Sequence, residues 1–189
     1  NLVNADQVSL PDTPLNPQWY YHLKIQRYDG KMSELDFGTL RFSILGGKYI
    51  SNFIYATLFA YAPDYTAPVI FKGDKMTDAI VLPQNCIKPV GFEEDQNLIP
   101  TPPQSHSAYR LLCEYFSFPE KFMFFDLKNL RPQACDQYFD IYIAINPSAK
   151  LDKIHVSTDN FKLGCTPIIN LFSKITEPLD LTNQSIAYK

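Results

Sequence analysis

Between Ser107 and Leu127 the chain reads SAYRLLCEYFSFPEKFMFFDL, and one proline divides it into two patterns that need different surroundings. Before Pro119, the residues Ala108, Leu111, Leu112 and Tyr115 recur at helical spacing. Arg110 and Glu114 stand four apart and read as an outward-facing pair. Ser105 is the expected N-cap and Pro119 the stop. After the proline, Lys121 to Leu127 is apolar on both faces, with Phe122 and Phe124 alternating against Met123 and Phe125. A strand without a polar face belongs in the middle of a sheet, covered by a helix or a second sheet.

The rest of the chain supplies short pieces of both kinds. Trp19 to Gln26 alternates, with Trp19, Tyr21, Leu23 and Ile25 on one face. Thr39 to Leu45 sets Leu40, Phe42 and Ile44 against Thr39, Arg41 and Ser43. Asp29-Gly30 between these runs suggests an antiparallel pairing through a longer loop. Ile50, Phe53, Ile54, Leu58 and Tyr61 then fall on a helical stripe that Pro63 ends. Its other face, Ser51, Asn52, Tyr55, Thr57 and Phe59, has no charge, which implies a helix covered on both sides. Val69 to Phe71, Met76 to Leu82 and Cys86 to Phe92 read as short strands, the last an edge strand because it contains Pro89. Tyr138 to Ile145 alternates cleanly, with Phe139, Ile141, Ile143 and Ile145 inward and Pro147 as the stop. Ile154 and Val156 suggest one more strand.

Seven or eight short strands and two helices in irregular order lack the βα alternation of a parallel doubly wound sheet. The expected class is α+β with mostly antiparallel strands. Leu98 to Gln104, LIPTPPQ, must run extended and is the candidate hinge. This gives a linker over 1–18, rich in proline and polar residues, then a first α+β sub-domain over 19–100 and a second over 101–189 packed on it. The absence of a starting Met fits a piece of something longer.

Composition narrows the function. A net charge of -3, with no run of Lys or Arg, leaves no electrostatic footprint for nucleic acid or anionic lipid. No apolar run approaches the 18 or so residues that span a bilayer. Cys86, Cys113, Cys135 and Cys165 are far apart and read as reduced thiols. They lack the close pairing of zinc ligands. His106 lies roughly 10 Å from Cys113 along the helix axis, too far to activate it. Cys113 is therefore expected to be an inert packing residue. His22 and His155 fall on polar faces, and Glu93, Glu94 and Asp95 read as a solvated loop. No catalytic, cofactor-binding or metal-ligating residue emerges.

Several blocks carry a family resemblance: LRFSILGG at Leu40 to Gly47, GFEEDQNLIP at Gly91 to Pro100, the segment from Ser107 to Leu127, CTPIINLF at Cys165 to Phe172, and EPLDL at Glu177 to Leu181. The third and fourth are the specific ones. Together they resemble the TssF family, also called ImpG or VasA, of type VI secretion baseplate subunits. The resemblance implies a structural protein of the bacterial cytoplasm, without catalysis or cofactor, assembled at the inner face of the envelope. It implies assembly with TssG, TssK and TssE, in more than one copy, into the wedges of a contractile-injection baseplate around the spike and below the tail. Gly164 stands where the family pattern leads one to expect a larger polar residue.

The aromatic blocks admit two readings. Aromatic clusters usually mark a core, which would make both blocks core corners. As a subunit contact, the candidate residues are Tyr55, Phe59, Tyr115, Phe116, Phe118, Asn170, Leu171 and Phe172. Two other function classes stay open: a small binding module for carbohydrate or peptide, and a Cys-based or acid-base enzyme. The first requires aromatics in a row on a sheet face; the second requires a pocket where His and Cys, or two carboxylates, converge.

Overall fold

The computed structural model describes residues 2–4, 7, 10, 11, 17, 19–35, 37–59, 68–83, 85–100, 104–145 and 155–172. In chain order these contain β1 (Leu2–Asn4), β2 (Trp19–Gln26), β3 (Thr39–Ile44), α1 (Lys48–Phe59), β4 (Val69–Gly73) and β5 (Ile80–Val81). They continue with β6 (Ile87–Pro89), α2 (Ser107–Ser117), β7 (Phe124–Lys128), β8 (Tyr138–Ile145) and β9 (Phe161–Leu163). The class is α+β with antiparallel pairing throughout, as the patterning implies.

Five strands form one sheet in the order β1-β2-β8-β4-β5, and four form a second in the order β6-β7-β3-β9. β8 is the spine of the first, paired with β2 from Trp19↔Ile145 to Gln26↔Tyr138 and with β4 on its other side. Its alternation is realised as read: Phe139, Ile141, Ile143 and Ile145 are fully buried. β7 sits inside the second sheet, with Phe125 and Leu127 fully buried and Phe124 nearly so. Phe42 of β3 stacks on Phe125 at 5.1 Å between ring centroids. One core joins the inner faces of both sheets to Ile54 and Leu58 of α1. Tyr21 of the first sheet meets Phe161 of the second at 5.6 Å and hydrogen-bonds through its hydroxyl to Thr57 Oγ1 of α1 at 2.7 Å.

Two loops are fixed by backbone chemistry. The Asp74 carboxylate accepts from the amides of Asp136, Gln137 and Tyr138 at 2.5, 2.6 and 3.3 Å, pinning the entry to β8. A Cβ on Gly73 would stand 2.2 Å from the Ala134 carbonyl oxygen, so only glycine lets these segments approach. At Gly164 the backbone has φ +70, a conformation that glycine adopts freely and a larger residue adopts at a cost.

Several local expectations are corrected. Leu2–Asn4, placed in a linker, pairs with β2 as an edge strand, which with the other eight makes nine strands among the described residues. The runs around β2 and β3 are not partners: β2 pairs with β1 and β8, β3 with β7 and β9. Each sheet takes strands from both sides of residue 100, because antiparallel partners here are distant in sequence. Lys121 and Phe122 belong to a 3-10 turn, Pro119–Phe122, rather than to the strand. The last strand is β9; Val156 is buried outside any strand, and Ile154 lies outside the described residues. Tyr61, Pro63, Pro147, EPLDL and residues 101–103 of the proposed hinge also lie outside them. On α1, Ser51 and Thr57 are buried and Tyr55 and Phe59 half-buried, while Asn52 is exposed.

The largest correction concerns α2. Its N-cap is His106, whose Nδ1 accepts from the Ala108 amide at 3.1 Å, not Ser105. Its roll is the reverse of the one its apolar spacing suggests. Arg110 and Glu114 are buried, Ala108, Leu112 and Tyr115 are exposed, and Leu111 is half-buried. Cys113, expected to pack, is exposed as well. Hydrophobic periodicity assumes that charges go to water, and that assumption fails where the protein supplies partners for them.

Candidate functional site: the apolar groove beside helix α2

The partners that admit Glu114 to the interior come from both sides of the helix. Lys121, in the turn that follows Pro119, makes an ion pair with Glu114 Oε2, and both side chains are only 1% exposed. Glu114 Oε1 accepts from the Leu98 and Ile99 amides at 2.8 and 3.0 Å, so the extended segment before α2 is tied to it. Burial pushes the Glu114 carboxyl up, and the Lys121 ammonium with the two amides more than reverses this, holding it below the usual carboxylate range. Among the described residues, Arg110 Nη2 donates to the Phe92 carbonyl at 3.4 Å and its Nε has no hydrogen-bond partner.

With its charges turned inward, α2 presents Tyr109, Leu112, Tyr115 and Phe116 outward, Phe116 at 80% exposure. Tyr115 leans edgewise on Phe116 at 5.6 Å and lies tilted against the buried Phe122 at 6.0 Å. Beside this face opens a groove of about 890 Å³. Its lining comes from Tyr115, Phe116, Phe118 and Pro119 at the end of α2, from Ser43 to Gly46 with Phe124 on the second sheet, and from Cys165 to Ile168. Lys48 and Asn52 of α1 line both this groove and a hollow of about 510 Å³ next to Tyr49. The segment leaving the groove stays apolar and open, with Ile168 at 78% and Phe172 at 79% exposure and Leu171 also exposed.

The structure therefore brings together three of the sequence candidates, Tyr115, Phe116 and Phe118, on the groove. Asn170, Leu171 and Phe172 are exposed on the segment that continues from it. Tyr55 and Phe59 stand apart, packed against each other at 4.9 Å and against the main core. Of the aromatics around Pro119, Phe122 and Phe125 are core, whereas Phe116 is surface. Tyr109, Leu112 and Ile168 were missed. A signal for the first two was present: if Glu114 finds a cation after Pro119, the helix has no other strongly polar face to offer solvent.

Among the described residues no three His, Cys, Asp or Glu side chains converge as a metal site would require. Burial pushes the Cys86 and Cys135 thiols up to about 11, so they are thiols, not thiolates, at neutral pH. Glu93, Glu94 and Asp95 are exposed in a short 3-10 turn region, as a solvated loop should be. His22 stacks on Tyr142 at 4.5 Å and bonds Asp140 at 2.8 Å, a half-buried arrangement rather than the open one implied by its polar face. No helix among the described residues is long and apolar enough to cross a membrane.

Comparison with known proteins agrees with the sequence blocks. The family model described as "Type VI secretion system, TssF" matches residues 4–189. A type VI secretion system component, TssF1 of Pseudomonas aeruginosa, is 26% identical over 106 residues, covering 54% of this chain and 17% of that protein. Among solved structures, a chain of a TssK-TssF-TssG baseplate subcomplex seen by cryo-electron microscopy shares the fold with a TM-score of 0.61 and 23% identity. That match covers 85% of this chain and 34% of the other, so the chain spans only part of the length of the relatives it matches. With the family model spanning nearly all of it, the chain belongs to the TssF family of the type VI secretion system.

Proposed function

We propose that the chain is a structural component of a type VI secretion baseplate wedge and that the groove beside α2 seats TssG. The observation that carries this reading is the outward apolar face itself. Tyr109, Leu112, Tyr115 and Phe116 continue through the groove to Ile168, Leu171 and Phe172 in a surface with few charges. Extended apolar patches of this kind mark protein-protein contacts, and aromatic residues dominate the cores of such contacts. The relative solved as a TssK-TssF-TssG subcomplex supports TssG and TssK as partners. TssE and the spike and tail assembly are further partners on this reading, in a hetero-oligomer with more than one copy, in the cytoplasm at the inner face of the envelope. The role is assembly rather than catalysis: the groove offers aromatic and aliphatic surface, and the His106 ring is committed to capping α2.

The test is co-purification from cells expressing the chain in its full-length protein together with TssG and TssK. Phe172→Asp and Tyr115→Asp should each abolish recovery of TssG while the thermal transition of the variant matches wild type. Wild-type recovery of TssG by both variants would sink the assignment. Loss of the thermal transition would return these aromatics to the core reading.

A further inference from the structure

The buried charges under α2 do more than hold a helix on a sheet. Glu114 and Lys121 are each 1% exposed and Arg110 is 6% exposed, so three ionic groups have left water beneath one eleven-residue helix. Among the described residues the Glu114–Lys121 pair is well satisfied, whereas Arg110 has one long hydrogen bond and an unpartnered Nε. A buried ion pair is weak as a source of stability, since apolar residues of similar size often replace it without loss. What it does supply is orientation, because each wrong placement strands a charge. The alternative placement is visible on the helix: Tyr109, Leu112, Tyr115 and Phe116 would bury more apolar surface than Arg110 and Glu114 do, if α2 rolled about its axis.

We infer that Glu114, Lys121 and Arg110 are positioning residues for docking: they fix the roll of α2 so that its apolar face stays outward for the partner subunit. The inference rests on the groove being a docking site, and it separates from that reading experimentally. Glu114 is the centre of the device. It ties together Lys121 in the following turn and the Leu98 and Ile99 amides in the preceding segment, so the helix is held from both ends in one roll. Gly91, with φ +105, passes within 3.1 Å of the Lys121 carbonyl oxygen for a notional Cβ, and so keeps the same corner closed.

A thiol introduced at Ala108 gives the readout, because Ala108 is exposed on the same side of α2 as Leu112 and Tyr115 and would turn inward with them. In an Ala108→Cys, Cys113→Ser, Cys165→Ser background it is the one exposed thiol among the described residues, Cys86 and Cys135 being buried, and its labelling is read at that position by peptide mass spectrometry. In that background of the full-length protein, the triple variant Arg110→Leu, Glu114→Leu, Lys121→Met should melt no lower than its parent. Labelling at position 108 by a maleimide at neutral pH should nevertheless slow at least tenfold, and recovery of TssG should fall by a similar factor. A folded triple variant that labels at position 108 at the parental rate would overturn the inference. Slowed labelling with undiminished TssG recovery would leave the positioning role standing and sink the groove as the TssG seat. Should the triple variant fail to fold, Glu114→Gln with Lys121→Met keeps the acceptor for the two amides and removes the charge pair. Slower labelling there supports the inference; an unchanged rate, or failure of both variants to fold, reduces the cluster to plain stability and overturns it.

Discussion

β8 and α2 carry apolar stripes that are equally plain in the sequence, and the protein puts them on opposite sides of its surface. In β8 the inward residues meet β2 and β4 on either side and the second sheet across the core, while Tyr138, Asp140 and Tyr142 remain half-buried on the outer face. In α2 the charged residues meet their complements inside and the aromatic ones are left out. Polarity reports exposure only where water is the best partner on offer. A carboxylate supplied with a lysine and two backbone amides no longer needs it.

The contrast breaks most sharply at stability. Phe139 of β8 is fully buried against Phe71 at 5.4 Å and Phe37 at 5.7 Å. Phe139→Ala should cost about 3–5 kcal/mol of unfolding free energy, measured by denaturant titration, through lost burial and the cavity left behind. A cost within the range of a surface change would mean that β8 is not the spine the pairing makes it. For α2 the comparable change is not an aromatic but an acid. Glu114→Ala strands Lys121 and two amides in a dry site and should cost about 3 kcal/mol, which is the usual scale for breaking a buried pair from one side.

Acid should sharpen the same point. The Glu114 carboxyl is held below its ordinary value of 4.5, so its stabilising contribution is fully present above that value and is lost as pH falls through the depressed one. Unfolding free energies of wild type and Glu114→Gln should therefore differ at neutral pH and converge in acid, where the wild-type side chain is itself neutral. A difference that stays constant across that range would mean that charge is not what Glu114 contributes. The Asp74 carboxylate is also held low; burial raises it and the three backbone amides more than offset this, so its own share is lost in the same acid direction in both proteins.

How much of this was legible follows the same physics. β8, β7, the edge character of β6 and helix α1 were readable because their burial follows local patterns that a window of residues contains, whereas for α2 only the helix itself was readable and not which face it buries. Which strands pair was not, since β2 finds β8 across more than a hundred residues and no local signal encodes that choice. The groove was half legible. Tyr115, Phe116, Leu171 and Phe172 stood out by residue type, but the roll of α2 depends on Lys121 and on the Leu98 and Ile99 amides, which lie on the far sides of two proline breaks.

The smallest effect on stability is the most telling one for function. Leu112 occupies the position that helical periodicity marks as core, yet it is 53% exposed and follows Tyr109 by one turn on the outward face. If the observed roll is the working one, Leu112→Ser removes little buried surface and should change unfolding free energy by no more than about 0.5 kcal/mol. A Leu that truly packed inward would cost several times that when made polar. The same substitution should weaken TssG recovery, because it removes an apolar contact from the middle of the proposed docking face. Large destabilisation with TssG binding preserved per folded molecule would show α2 rolled the other way and return the helix to the pattern its sequence first suggests.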